Sequence, residues 1–362
     1  MSSTEAWLRF ARLEIPARRA LALLEAFGSP EAVLQAGRSD LEDVPGLALK
    51  TIERILEGVP DSDVRKDAQA MERCGASMLT ILDPAYPPLL RQIADPPPVL
   101  FVRGSFKDTD RFSVAVVGSR NASHYGMMVA ERISQRLAEF GFTVVSGLAR
   151  GVDAAAHKGA LKAGRTIAVL GCGVDIAYPP EHRRLMDAAA EHGAVVSEAP
   201  MRAQPDAWRF PARNRIISGL SLGVVICQSP LNSGAMITAD FAAEQGREVF
   251  AVPGDVLDPR NSGCHSLIRQ GAVLVEKAED VLATLGVPVD QAEVQKPPVS
   301  PQLTLDESRL LELLSLQQRH IDELIAETQM PAAQVNSVLL MLEMKGLVKR
   351  LPGGSFIRAV YF

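Results

Sequence analysis

Cysteine is scarce in this chain of 362 residues, which has only four. They stand at positions 74, 172, 227 and 264, so no two of them form the Cys-x-x-Cys pair that is typical of zinc sites and thiol redox centres. This spacing gives no support to a metal site or to a disulfide framework. We therefore expect no bound metal.

Long hydrophobic runs are also missing. No apolar stretch approaches the roughly 18 residues that a membrane-spanning helix needs. The first ten residues, MSSTEAWLRF, lack the basic and then apolar pattern of a signal peptide. Hydrophobic residues make up 47% of the chain and charged residues 22%, which is ordinary for folded domains. We predict a cytoplasmic protein with two or three domains.

The chain has no general excess of positive charge, because its formal net charge is -5. The charge is unevenly distributed, however. Residues 111–285 carry 18 basic and 17 acidic side chains, and residues 202–215 carry four arginines and one aspartate. A local basic region on an acidic protein indicates a site for a polyanionic ligand.

The first part of the chain is predicted to be helical. Residues 1–75 have the periodicity of short helices, and residues 40–55 read as two helices joined by a turn at Pro45-Gly46. This is the pattern of a small domain of the SAM or helix-hairpin-helix kind. Such a hairpin either offers backbone N–H groups to a DNA phosphate or serves only as a packing module. Residues 76–110 are rich in proline and are predicted to be an extended connection.

Residues 111–285 alternate short apolar segments with helical stretches. Several of the segments are almost purely apolar, as strands buried on both faces should be. The predicted strands are Val114–Val117, Thr143–Val145, Ile167–Leu170, Val195–Val196, Val224–Ile226, Val249–Val252 and Val273–Val275. The alternation predicts an α/β fold with a Rossmann-like, doubly wound and mostly parallel sheet.

The last part of the chain follows a predicted linker at residues 286–305. Residues 306–362 contain three helical stretches and then a β-ribbon that turns at Gly353-Gly354, which is the winged-helix pattern. The third helical stretch, residues 331–345, has the place of a DNA-reading helix but carries Lys345 as its only cation. Either this domain reads DNA, or it has a protein-contact or auxiliary role.

Ligands of open α/β sheets bind at the carboxyl ends of the strands. Gly118, Ser119 and Arg120 directly follow the first predicted strand of the Rossmann-like domain. Glycine allows close approach of the backbone, serine can donate a hydrogen bond, and arginine can grip a phosphate at a helix start. The Gly-x-Gly-x-x-Gly motif and the ribose-binding acid of dinucleotide sites are absent. We therefore expect a phosphate-binding turn and no cofactor.

The second strand-end turn holds Ser146, Gly147 and Gly151, whose glycines suit an anion-binding nest. Asp153 and His157 follow at a spacing of four, which places them on one face of a helix. They could form a catalytic pair, or a structural pair that orients the loop. We favour the structural pair because no nucleophile stands beside it in the sequence.

Further candidates lie at later strand ends. Glu198 could act as a general base or anchor its loop, while Arg209, Arg213 and Arg215 could flank the phosphate site or pair with structural acids. Ser233 and Gly234 form another small-residue turn at a helix start. Glycine-rich turns at several successive strand ends indicate a long ligand that bears phosphates. Four aromatic residues are candidates for base stacking: Phe142, Tyr178, Trp208 and Phe210. Of these, Phe142 begins a predicted strand, which favours a place in the core.

Taken together, these stretches resemble the bacterial DNA processing protein A family (DprA, also called Smf). The matching segments lie within residues 110–275 and occur in the order found in the family. They are Gly118-Ser119-Arg120, Ser146-Gly147-Leu148-Ala149-Arg150-Gly151-Val152-Asp153 with Ala156-His157, Phe210-Pro211-Ala212-Arg213-Asn214-Arg215-Ile216-Ile217, Ser233-Gly234 with Thr238-Ala239, and Arg247-Glu248-Val249-Phe250-Ala251-Val252-Pro253-Gly254.

The resemblance implies a non-enzymatic protein that binds single-stranded DNA during natural transformation. Such proteins dimerise through the Rossmann-like domain, protect incoming single strands and load the recombinase RecA onto them. Arg120 is the DNA contact that the resemblance implies first, and Arg213 follows. The alternative is a Rossmann-like enzyme that hydrolyses nucleotides, in which Glu198 or Glu244 would act as acid or base. A winged-helix regulator with a Rossmann-like sensor is a third hypothesis.

Overall fold

The computed structural model describes residues 2–286, 303–315 and 318–358. The chain divides into two compact units, Met1–Val289 and Asp290–Phe362. In the described ranges, no helix combines the length and the apolar character that crossing a membrane requires.

The first unit begins with six helices. They are α1 (Ser3–Arg12), α2 (Ala17–Phe27), α3 (Pro30–Gln35), α4 (Arg38–Glu42), α5 (Leu49–Glu57) and α6 (Asp61–Cys74). The side chains of Ser2 and Ser29 accept hydrogen bonds from the first turns of α1 and α3, and Gly28 and Gly75 end α2 and α6 in the left-handed conformation. Local capping thus sets the short helix lengths.

A nine-stranded sheet forms the centre of this unit. Its strands are β1 (Ala76–Thr80), β2 (Val99–Gly104), β3 (Ser113–Val117), β4 (Thr143–Ser146), β5 (Thr166–Val169), β6 (Ala194–Ser197), β7 (Gly223–Ile226), β8 (Glu248–Ala251) and β9 (Val273–Leu274). Their order is β1-β2-β6-β5-β4-β3-β7-β8-β9, and β3 to β9 pair in parallel. The predicted doubly wound, mostly parallel sheet is confirmed.

The structure corrects the interpretation of residues 76–110 as a connection. They contribute the strands β1 and β2, which pair antiparallel with each other. Strand β2 also pairs antiparallel with β6 and so joins both strands to the sheet. Every proline between positions 81 and 98 lies in the loop between the two strands, where no ladder hydrogen bond is lost. The many prolines of this segment led us to miss two short strands. Residues Val99–Val102 of β2 are buried.

Helices cover both faces of the sheet, and their first turns lie at its carboxyl edge because each crossover helix leaves the end of a parallel strand. The main crossover helices are α8 (His124–Glu139), α9 (Val152–Ala160), α10 (Arg183–His192), α11 (Arg209–Gly219), α12 (Gly234–Glu244) and α13 (Ser262–Arg269), and α14 (Ala278–Thr284) ends the unit. The short helix α7 (Pro88–Arg91) lies between β1 and β2.

The amino-terminal helices share a hydrophobic core with the sheet. Trp7, Phe10 and Leu23 pack in one cluster with Phe101 of β2 and Leu170, which follows β5. The predicted helix-hairpin-helix region therefore lies on one face of the sheet as part of the first unit. At its hairpin turn, Arg19 Nη1 donates to the carbonyl of Pro45 at 3.2 Å.

The second unit has the predicted winged-helix elements. They are α15 (Leu305–Leu313), β10 (Arg319–His320), α16 (Ile321–Thr328), α17 (Ala332–Met344), β11 (Val348–Leu351) and β12 (Ser355–Arg358), with strand order β10-β12-β11. Lys345, the single cation noted in the sequence, forms an ion pair with Glu307 at 2.7 Å. Leu340, Met341 and Met344 of α17 are exposed instead, so the outer face of this helix is apolar in its second half.

Candidate functional site at the carboxyl edge of the sheet

A cleft opens at the topological switch point of the sheet. From β3 the chain winds outward through β4, β5 and β6, and it then returns to place β7 on the other side of β3. The loops after β3 and β7 consequently diverge, as they do at the ligand sites of doubly wound sheets. The cleft has a volume of about 530 Å³ and is lined by Gly118, Ser119 and Arg120 among others.

The turn after β3 is held rigidly by the backbone of the neighbouring loop. The N–H of Ser119 donates to the carbonyl of Gln228 at 2.7 Å, and the N–H of Asn121 donates to Ser119 Oγ at 3.1 Å. A Cβ at Gly118 would lie 2.7 Å from the Gln228 carbonyl oxygen, so only glycine allows this approach. Ser119 is buried, whereas the Arg120 side chain is exposed to solvent.

Arg120 belongs to a short column of stacked side chains. Its guanidinium lies 5.4 Å from the ring centre of Phe210, and the Phe210 ring lies 5.2 Å from that of Tyr178 at an angle of 36°. Tyr178 and Trp208 are exposed, while Phe142 is buried in the core beneath Phe112. Of the four aromatic candidates, Phe142 is therefore excluded. The stacking of Arg120 on Phe210 joins two segments that are 90 residues apart and has no signal in the sequence.

Arg213 is a scaffold residue at the floor of the cleft. Its Nη1 donates to the carbonyl oxygens of Gly147, at 2.8 Å, and Val169, which ties the turn after β4 to the end of β5. Its side chain is buried, and burial lowers the pKa of Arg213 to about 10. A Cβ at Gly147 would lie 2.6 Å from this guanidinium and 2.7 Å from Asp153 Oδ2, so the two charged groups flank the glycine. Burial raises the pKa of Asp153, and Arg213 opposes that rise.

Arg209 and Arg215 are outside the cleft, contrary to the expectation that they flank the phosphate site. Arg209 forms ion pairs with Glu14 at 2.7 Å and Asp206 at 3.3 Å. The Arg215 side chain is only 7% exposed and is paired with Asp95 at 3.1 Å and with Glu198. Helix geometry explains the position of Arg215, because residues 213 and 215 of α11 point to opposite sides. Arg209 shares the face of Arg213 but is drawn to Glu14 and Asp206 at the start of the helix.

The predicted pair of Asp153 and His157 is not formed. Asp153 Oδ2 accepts from the N–H of Ala149 at 3.4 Å and faces the glycine turn, whereas His157 Nδ1 lies 2.7 Å from Thr166 Oγ1. The Thr166 hydroxyl donates to the Val144 carbonyl at 2.8 Å, so His157 Nδ1 carries the proton and donates to Thr166. The spacing of four brought both residues to one side of α9, but each has a different partner.

The burial of His157 has a measurable consequence for stability. Burial lowers its pKa from 6.5 to about 3, so the folded protein keeps it neutral while the unfolded chain protonates it below about pH 6.5. Its contribution to stability is therefore present above that pH and is lost as pH falls. We expect the free energy of unfolding to fall by about 1.4 kcal/mol more in the wild type than in His157→Gln between about pH 7.5 and 5.5. Urea titrations of both proteins at the two pH values measure this difference. An equal change in the free energy of unfolding in the wild type and in His157→Gln would contradict it.

The other predicted residues fall into two groups. Ser146 is fully buried and its hydroxyl donates to the Val116 carbonyl at 2.7 Å, so it is a structural residue of the sheet. Gly151 has a φ of 75° and lies against the carbonyls of Ser119 and Arg120. Ser233 and Gly234 line the cleft, and the space beside Gly234 is open.

Three helices begin beside the cleft without a side-chain cap. Their first residues are Val152 of α9, Arg209 of α11 and Gly234 of α12, and no side chain in the described part of the chain accepts a hydrogen bond at these starts. The positive end of each helix dipole therefore lies beside the cleft, although the N–H groups of Val152 and Arg209 already donate to the carbonyls of Ser119 and Asp206. Such an arrangement favours an anion.

Exposed arginines follow three adjacent strands. Arg120 follows β3, Arg150 follows β4, and Arg183 and Arg184 begin the helix after β5. All four therefore belong to connections that leave the carboxyl edge of the sheet. Arg150 is paired with Glu181 at 2.5 Å. Arg183 and Arg184 were outside the candidate set drawn from the sequence, although their place after a strand end was a signal for them.

The acids that a nucleotide hydrolase would need are poorly placed. Glu198 is held by Arg215, and Glu244 ends α12 at the amino edge of the sheet, opposite the cleft. Asp153 is the carboxylate that lines the cleft within the described ranges. The geometry offers no second carboxylate there to form an acid–base pair.

Three protein-family models match this chain. The family model for DNA recombination-mediator protein A matches residues 77–286, a DprA winged helix domain model matches residues 294–354, and a SAM-like helix-hairpin-helix tandem model matches residues 15–59. The chain is 38% identical to Protein Smf of Escherichia coli over 316 residues, which cover 85% of this chain and 84% of that protein. It is 42% identical to DNA processing protein DprA of Streptococcus pneumoniae over 247 residues, covering 67% and 85%.

Two solved structures are similar as well. The X-ray structure of DprA from Streptococcus pneumoniae has a TM-score of 0.68 at 38% identity and covers 78% of this chain and 98% of that one. DprA from Helicobacter pylori, a structure described for its single-stranded DNA binding mode, has a TM-score of 0.53 at 30% identity and covers 58% and 95%. The chain therefore belongs to the DNA processing protein A (DprA/Smf) family.

Proposed function

We propose that this protein is a DNA-processing protein that binds single-stranded DNA at the cleft between β3 and β7. The observation that carries the proposal is the exposed Arg120 guanidinium, held over Phe210 at the mouth of a cleft that three uncapped helix starts border. Its relative from Helicobacter pylori is described as a single-stranded DNA binder. The combination of a cation, an aromatic ring and backbone N–H groups suits a nucleotide with a free base and a phosphate.

The phosphate backbone would follow the exposed arginines along the carboxyl edge. Arg120, Arg183 and Arg184 neutralise phosphates without reading base edges, so binding is independent of sequence and weakens steeply with salt. Arg213 supports this track from below by holding the turn at Gly147. Arg209 and Arg215 contribute to the scaffold through their ion pairs.

Binding of a labelled oligonucleotide, followed by fluorescence anisotropy at several salt concentrations, tests the proposal. We expect single strands to bind more tightly than duplexes, because a base in a duplex cannot stack on the exposed Tyr178 ring at the end of this column. Equal affinity for both would contradict a site built around an unpaired base.

Phe210 and Arg120 should contribute to affinity in different ways. We expect Phe210→Ala to weaken single-strand binding by about 1–3 kcal/mol, the usual contribution of one stacked base, because Phe210 supports the Tyr178 ring on which the base would stack. The salt dependence should be unchanged. Arg120→Gln should instead reduce the slope of log affinity against log salt by about 0.7, since one phosphate contact is lost. Phe210→Trp is the matched control for stacking and should retain affinity. A change of slope in Phe210→Ala would show that the variant disturbs Arg120 as well.

We further propose that the protein acts as a homodimer through the Rossmann-like domain and loads RecA onto single strands during natural transformation in the cytoplasm. Membership of a recombination-mediator family supports this role. A RecA filament assay on strands coated with single-strand-binding protein, with and without this protein, tests it. Faster filament growth in its presence is the expected result, and no acceleration would contradict the loading role while leaving DNA binding in place.

A further inference from the structure

An ion pair links the amino-terminal helices to the start of α11 beside the proposed DNA site. Glu14, in the turn between α1 and α2, lies 2.7 Å from Arg209, the first residue of α11. Both side chains are largely shielded, at 28% and 11% exposure. The next residue of α11 is Phe210, on which Arg120 stacks. The contact thus joins the helical module directly to the aromatic platform of the cleft.

The backbone at Glu14 is in a conformation that favours glycine. Its φ is 46°, in the left-handed region that costs most other residues free energy. Glycine would adopt this turn without strain, yet the position holds a residue whose carboxylate meets Arg209. The turn alone would be satisfied by glycine. The ion pair with Arg209 explains why glutamate stands at position 14.

Arg209 also contacts a second aromatic residue, Trp208. Its guanidinium lies 4.4 Å from the ring centre of Trp208, which is 61% exposed. Glu14 and Asp206 hold this guanidinium from two sides. Because Trp208, Arg209 and Phe210 are consecutive, holding the middle residue restrains the backbone from which both rings project.

On the basis of the proposed function, we propose that Glu14 is a positioning residue for single-stranded DNA. By holding Arg209, it fixes the first turn of α11 so that Phe210 lies between Arg120 and Tyr178. The amino-terminal helical module is then part of the DNA site without touching DNA. Glu14 then contributes to DNA affinity only indirectly, through Arg209, which lies outside the cleft.

The sign of the effect distinguishes positioning from simple electrostatics. Removing a carboxylate near a polyanion should strengthen binding, whereas loss of positioning should weaken it. Glu14→Gly is the informative variant, because it removes the carboxylate and relieves the backbone strain, so the fold is retained. We expect its melting temperature to be unchanged or higher and its affinity for single-stranded DNA to fall about threefold to tenfold, with an unchanged salt slope.

Asp63→Asn is the matched control. Asp63 of α6 forms another ion pair between the helical module and the sheet, with Arg202 at 3.5 Å, and it is not attached to α11. The control also removes one negative charge, so its affinity for single strands should be equal to or slightly above that of the wild type. An equal loss in both variants would overturn the proposal in favour of general loosening of the module, and unchanged or tighter binding by Glu14→Gly would overturn it outright.

Tryptophan fluorescence gives a readout that does not depend on DNA. The chain has two tryptophans, and Trp7 is buried, so quenching by acrylamide reports mainly on Trp208. We expect Glu14→Gly to increase quenching and Asp63→Asn to leave it unchanged. If the wild type failed to bind single strands, the proposed function would be wrong. The quenching measurement would still show whether Glu14 restrains the start of α11. Equal quenching in the wild type, Glu14→Gly and Asp63→Asn would show that Glu14 does not restrain the start of α11, which would overturn the positioning role.

Discussion

Arg120→Glu is expected to weaken binding of single-stranded DNA by at least about a hundredfold. The substitution removes a charge-assisted phosphate contact and places a carboxylate among three uncapped helix starts that would otherwise attract an anion. It also removes the cation that lies over the Phe210 ring. Oligonucleotide anisotropy at low and moderate salt measures the effect.

A charge reversal elsewhere controls for the change in net charge. Arg73 is exposed in the last turn of α6 and precedes β1, which runs parallel to β6. It therefore lies at the amino edge of the sheet, opposite the cleft. Arg73→Glu should bind single strands nearly as well as the wild type. If both variants lost affinity equally, the binding would depend on overall charge and the cleft would not be the site.

Arg213→Met is expected to lower the free energy of unfolding by about 3–5 kcal/mol, the usual cost of removing one member of a buried charged network. The guanidinium holds the carbonyls of Gly147 and Val169, and its loss would leave Asp153 buried without its nearby cation. Urea denaturation monitored by circular dichroism measures the loss. Arg120→Met is the comparison, and because Arg120 is exposed its stability should change by no more than about 0.5 kcal/mol.

The same pair of variants separates a scaffold residue from a phosphate contact. Adding Asp153→Asn to Arg213→Met should recover part of the lost stability, since the unpartnered buried charge is then removed as well. If Arg213→Met kept full stability and lost only DNA affinity, Arg213 would be a direct phosphate contact, as the family resemblance first implied. The ordinary stability of Arg120→Met together with its weak DNA binding would identify Arg120 as the contact residue.

The sequence was sufficient to predict the class of fold and to direct attention to the edge of the sheet where the cleft opens. Seven apolar segments alternating with helical stretches appear as the strands β3 to β9, because residues buried on both faces of a parallel sheet leave a clear apolar pattern. The positive φ of Gly151, in the turn after β4, also follows from a local backbone requirement. These features depend on neighbours in the sequence.

What each arginine does could be decided only by the tertiary structure. Arg120, Arg209, Arg213 and Arg215 look alike in the sequence, yet one is exposed at the cleft, one supports its floor, and two are paired with acids from distant segments such as Glu14 and Asp95. The partners of an ionic group are set by elements that meet only in the folded chain, and local periodicity carries no trace of them. For the same reason, the separate partners of Asp153 and His157 and the stacking of Arg120 on Phe210 appeared only in three dimensions.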